Sequence, residues 1–206
     1  MVGVLGSTTG VGALRAAQVL LGPLTILGAA AFIFAVPEIA RRPRMSSADR
    51  GRFTVAISGA MTGVTALYAA VVLLIPDHIG VHLFGDTWTG AESVLLPMCV
   101  LSLAAGMATG PAATLYGMGL ARTTFRINVI KAPLLALLLL VGITVAEAEG
   151  AAWAIAATEA VVVPLWLFRV HRAIRATTVT ANSETMPADL LSPGGVASPV
   201  RLDGNA

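Results

Sequence analysis

Apolar residues run along this chain in long unbroken stretches, and polar residues collect between them. Five stretches stand out, at about 16–40, 53–76, 91–118, 127–146 and 151–168. Each is apolar on every side of a helix rather than along one stripe, the pattern of a helix buried in lipid or in a bundle. A hydrocarbon core of about 30 Å is crossed by roughly 20 such residues in a helix. Period-two alternation with regularly spaced turns, the mark of a membrane barrel, is absent. The pattern predicts an all-α, polytopic transmembrane helix bundle of five spans.

Composition sharpens this. Of 206 residues, 56% are AVILMFWYC and only 12% are Asp, Glu, Lys or Arg, against about 25% charged in a soluble domain. Mean hydropathy is +0.84. So few charges cannot cover a water-facing surface, which excludes an ordinary soluble domain. The net charge of +2 carries no compact basic stripe with aromatic partners, so nucleic acid is not an expected partner. A single cysteine, Cys99, rules out a disulfide or a thiolate metal cluster within the chain.

The basic residues orient the spans. Arg41, Arg42, Arg44, Arg50 and Arg52 follow the first stretch, and Arg122 and Arg126 follow the third, with Lys131 just inside the fourth. Arg169, Arg172 and Arg175 follow the fifth. The connections at 77–90 and 147–150 hold no Lys or Arg. This alternation implies a multi-pass protein of the cell (inner or plasma) membrane, with its C-terminus in the cytoplasm and its N-terminus outside. Residues 1–15 are then an outer N-terminal segment, and 176–206, rich in Thr, Ser, Pro and Gly, a disordered cytoplasmic tail. Met1 to Leu14 contains no charged leader region and reads as the end of a preceding helix. The expectation is therefore a C-terminal piece of a longer membrane protein.

Signals for bond chemistry are poor. His78 and His82 stand four apart without a third ligand, and no phosphate loop or nucleophile elbow occurs. No catalytic residue, metal ligand or cofactor is assigned, and an enzyme is not expected. Polar residues inside the spans are the better lead, because a charge at depth costs at least about 2.5–3.5 kcal/mol on insertion scales. Arg15 and Gln18, three apart, share a helical face near the outer end of the first span. They offer a cavity patch for an anionic headgroup, or a snorkelling arginine. Glu159 lies mid-way along the fifth span with only apolar residues one turn away. It is expected to hydrogen-bond a Ser or Thr of another span, or else to serve as a cavity residue or a site for a coupling cation.

Prolines interrupt the spans at Pro23, Pro97, Pro111, Pro133 and Pro164. Each removes a backbone donor and bends its helix, as suits a protein that rocks between two states. Gly59-x-x-x-Gly63 and Gly106-x-x-x-Gly110 each suggest close helix packing.

Three stretches together resemble the C-terminal lobe of the multidrug, oligosaccharidyl-lipid and polysaccharide flippase superfamily, nearest its polysaccharide (O-antigen type) flippases. They are VGALRAAQVLLGPLTILGAAAFIFAVPEIARR, the outer connection LFGDTWTGAESVLLP, and the closing EGAAWAIAATEAVVVPLWLFRVHR. The likeness covers about residues 5–175. It implies the last five helices of a two-lobe, twelve-helix flippase fold, with a missing N-terminal lobe as partner. It also implies transport of an anionic lipid-linked oligosaccharide for polysaccharide biosynthesis, with ion-gradient coupling. Arg15, Gln18 and Glu159 are the substrate-cavity candidates under this likeness, and membrane lipids the other partners. The alternatives are a drug or cation exporter of the same superfamily, or a non-catalytic membrane scaffold or assembly protein.

Overall fold

The computed structural model describes residues 8–85 and 87–184, and every regular element among them is a helix. In chain order these are α1 (Thr8–Leu20), α2 (Gly22–Ala40), α3 (Ser47–Leu73), α4 (Asp77–Phe84), α5 (Thr87–Gly117) and α6 (Ala121–Glu184). Four helices are long and apolar enough to cross a membrane: α2, α3, Gly90–Gly117 within α5, and Ala121–Ala176 within α6.

Helix α6 is not one rod. Ala146 and Glu147 leave helical geometry, Glu147 at a positive φ of 43°, and the chain folds back there. Gly142 lies against Gly150 in backbone contact, and Lys131 pairs with Glu159. The two arms, 121–145 and 148–184, therefore run antiparallel. A side chain on either glycine would strike the opposite carbonyl, so their lack of a Cβ lets the arms close.

The expected stretch at 16–40 is two helices rather than one. Pro23 has no N–H to give, and Leu24 donates to Leu21 at 3.1 Å instead of to Leu20. The freed Leu20 carbonyl accepts the Tyr68 hydroxyl at 2.7 Å, a bond from α3 that satisfies the break. The helix also begins at Thr8, within the segment expected to precede the first span. At the other end α6 stays helical through Glu184, past the expected start of a disordered tail. The remainder of that tail, 185–206, lies outside the described residues, as do 1–7.

Helix α5 is the hub, with α1, α2, α3 and α6 all packed on it. Its prolines, Pro97 and Pro111, are fully buried. One cluster joins Ala17, Leu21, Val72, Trp88, Val94 and Ala152, and a second joins Leu115, Ile127, Val162, Trp166 and Val170. A Cβ on Gly106 would meet the α3 backbone at 3.3 Å, and one on Gly110 would strike the Thr54 carbonyl and the Ser58 hydroxyl. The second small-residue pair is thus a true packing seam. Thr54 and Thr114 hydrogen-bond across it at 2.7 Å. Gly59 and Gly63 are exposed with nothing near them, so the packing expected of that pair is not made among the described residues.

The turn from α5 to α6 is set by Gly119, at a φ of 74°. Leu120 donates to Leu115 at 2.9 Å and Gly119 to Tyr116 at 2.9 Å. This is a Schellman helix stop, and Leu120 packs on the cluster that contains Leu115. Helix α3 starts on Ser46, whose hydroxyl accepts the Asp49 amide at 3.0 Å.

These contacts also fix the two ends of the bundle. Ile39 touches Gly117, and Leu115 clusters with Val170. Residues 41–52, 118–126 and 169–176 are therefore gathered at one end. Tyr68 with Leu20, and Trp88 with Ala17 and Ala152, gather the ends of α1 and α3, the start of α5 and the α6 fold-back at the other. Between the ends, large apolar side chains face outward, such as Ile33 at 72% exposed and Val55 at 72%. A surface of that kind is matched to lipid rather than water.

Candidate functional site: a cleft along α5 and a part-buried ion pair

Helices α2 and α3 touch each other far less than either touches α5, and the gap between them is a cleft of about 610 Å³. That volume is in the range of small-molecule sites. The walls are mostly apolar, with Leu24, Met61, Met98 and Leu101 among them. Polar groups enter from four helices: Gln18 from α1, Thr25 from α2, Thr65 from α3, and Ser102 and Thr109 from α5.

The hydroxyls are mostly committed to their own backbones. Thr25 donates to the Gly22 carbonyl at 2.7 Å, Ser102 to Met98 at 2.9 Å and Thr109 to Ala105 at 2.9 Å. Each keeps an acceptor lone pair for a ligand donor. In a water-poor setting this internal pairing makes the hydroxyls tolerable within a span.

A second hollow of about 210 Å³ lies between α2, α5 and the two arms of α6. It shares Gly28, Ala105 and Thr109 with the cleft, so the two meet between α2 and α5. Gly28 helps to keep this meeting point open, because the nearest atom to a Cβ there would be Met61 Cε at 3.9 Å. The hollow is lined by Phe32, Asn128, Lys131, Glu159 and Trp166. Phe32 is held by an edge-on contact with Tyr116, 5.5 Å between ring centres and 81° between planes.

Lys131 Nζ donates to Glu159 Oε1, joining the two arms of α6. Their side chains are only 27% and 18% exposed. Lys131 stands ten residues into its arm, or about 15 Å along a helix axis, so the pair sits at depth rather than at an interface. Glu159 thus pairs with a lysine, and the hydrogen bond to a Ser or Thr expected from sequence is not what it makes. The fold-back at Glu147 brings the two side chains together, and pairing offsets much of the cost of placing each in apolar surroundings. The spacing about a short connection was the signal for this partner. It is hidden when Lys131, just inside the fourth span, is read only for the orientation it gives that span.

The three sequence candidates do not form one patch. Gln18 lines the cleft, and Glu159 lines the adjoining hollow. Arg15 is exposed on α1 and lies outside both linings. Thr25, Thr65, Ser102, Thr109, Asn128 and Lys131 line the two hollows without having been assigned to a site from sequence. No family model matches the chain, and neither a curated protein nor a solved structure is found to be similar to it.

Proposed function

We propose that this chain is a multi-pass membrane transporter of flippase type, which takes a lipid-linked anionic sugar into the cleft along α5 and passes its headgroup across the bilayer. Its apolar rods cross the membrane five times, α6 counting twice, with the arginine-rich end in the cytoplasm. The observation that carries the proposal is the meeting of an apolar cleft with a hollow holding a lysine–glutamate pair at mid-depth. A ligand with a long isoprenoid tail and a charged, hydroxyl-rich head needs both surfaces side by side. The cleft offers Met and Leu walls to the tail. Gln18, Ser102, Thr109 and Asn128 offer hydrogen bonds to sugar hydroxyls, and Lys131 offers a cation for phosphate.

The pair also supports a cycle. While Glu159 holds Lys131, the cation is neutralised. An entering phosphate competes for the same ammonium, and a coupling cation held by Glu159 frees Lys131 to bind it. Charge inside the hollow is then balanced in both states, which keeps the desolvation cost low.

The test is transfer itself. The full chain is placed in liposomes carrying a fluorescent polyprenyl-pyrophosphoryl sugar in the inner leaflet, and its appearance outside is followed with an impermeant quencher. The expected result is transfer faster than in protein-free liposomes, and at least about fivefold slower with Lys131→Gln, in line with the loss of one charge-assisted contact. Transfer no faster than in empty liposomes contradicts the proposal.

A further inference from the structure

At the arginine-rich end, apart from the cleft, a hollow of about 420 Å³ opens between the α5–α6 turn and the second arm of α6. Its lining includes Leu120, Thr123, Arg169 and Arg172 and, among the described residues, no carboxylate. Arg169 and Arg172 are three apart on one helix and share a face. Nε of Arg169 is buried and has no hydrogen-bond partner among the described residues. A buried guanidinium donor left in this way is costly unless something accepts from it.

Among the described residues, no acid supplies that acceptor. Glu38 and Asp49, near this end, are engaged elsewhere, Glu38 by Arg42 and Asp49 by Arg52 and the Ser46 hydroxyl. About one turn towards the middle of the bundle, Phe125, Leu167 and Phe168 point outward, 66%, 44% and 60% exposed. The hollow therefore sits where an outward apolar belt gives way to arginines. That is the chemistry of one ligand: phosphate at the top and acyl chains below.

We propose that Arg169, Arg172 and Thr123 form a binding site for the phosphodiester headgroup of an anionic phospholipid of the cytoplasmic leaflet. The two guanidinium groups hold the phosphate oxygens. The Thr123 hydroxyl donates to one of them or to the glycerol backbone. The acyl chains run down past Phe125 and Phe168. Bound lipid then ties the α5–α6 turn to the end of α6. Basic hollows between membrane helices on the cytoplasmic side are suited to such headgroups. The site is separate from the cleft, and it stands whether or not the chain transports a lipid-linked sugar.

The experiment is a titration of the purified full chain in a neutral detergent, read by native mass spectrometry and by thermal unfolding. Phosphatidylglycerol is expected to remain bound and to raise the unfolding midpoint, while phosphatidylcholine and inorganic phosphate at equal concentration do neither. Arg169→Gln/Arg172→Gln is expected to weaken phosphatidylglycerol binding on the order of tenfold. Arg41→Gln/Arg44→Gln, which removes as much charge from the same end, is expected to leave it within about twofold. Should the first double variant not fold, the contrast among the three additives on the unaltered chain decides. Equal effects of phosphatidylglycerol and phosphatidylcholine overturn the site, and so does an equal effect of inorganic phosphate. A loss of binding shared by both double variants shows surface charge alone, and overturns it too.

Discussion

A lysine and a glutamate placed about 15 Å inside apolar helices are each expensive alone and tolerable together. Lys131 and Glu159 show the consequence, because each holds the other from the opposite arm of α6. Removing one partner strands a charge at depth, whereas removing both leaves no charge to strand. Lys131→Met and Glu159→Gln should each destabilise the chain by about 2 kcal/mol, below the 3–5 kcal/mol of a fully buried pair because the hollow admits some solvent. The double variant should cost less than the two together, with a coupling of about 1 kcal/mol or more. Unfolding in mixed micelles, read as a double-mutant cycle, measures this. Strict additivity would mean that the two side chains do not meet.

At the scale of the helices, what matters is where backbones approach. Gly110 puts α5 against the Thr54 carbonyl of α3, and a fixed backbone oxygen cannot yield to a methyl group. Gly110→Ala is therefore expected to cost about 2 kcal/mol through overpacking. Gly63→Ala, where a Cβ meets nothing, should be neutral or stabilising by up to about 1 kcal/mol, since alanine favours the helix. Thermal unfolding of the two variants side by side checks the contrast, and equal losses would deny that Gly106 and Gly110 form the seam. In sequence the two glycine pairs are indistinguishable. Small residues at four-residue spacing say that close packing is allowed, and only the placement of a neighbour says whether it is used. The break at Leu21 was half legible in the same way. Gly22-Pro23 announces a bend, but the split into two helices depends on Tyr68, 48 positions away, to satisfy the Leu20 carbonyl.

For the whole molecule, helix class and the long apolar rods follow from local pattern alone, because bilayer thickness turns a run of apolar residues into a length. The cleft does not follow. It exists because α2 and α3 both pack on α5 and leave each other apart, a fact about pairs of helices that no single stretch records. Gln18 and Glu159 were legible as polar residues in oily surroundings. Their separation into two adjoining hollows, and the exclusion of Arg15 from both, depend on which way each helix is turned.

The central claim is that the arginine-rich end and the opposite end lie on different sides of a membrane. Cys99 is the sole cysteine and is buried, so Cys99→Ala gives a silent background. Into it go two single replacements at exposed sites, Arg44→Cys at the arginine-rich end and His78→Cys at the other. Intact cells expressing each variant are treated with an impermeant maleimide, before and after permeabilisation. Labelling at position 78 in intact cells, and at position 44 only after permeabilisation, is the predicted result. Labelling of both positions from the same side would contradict the account.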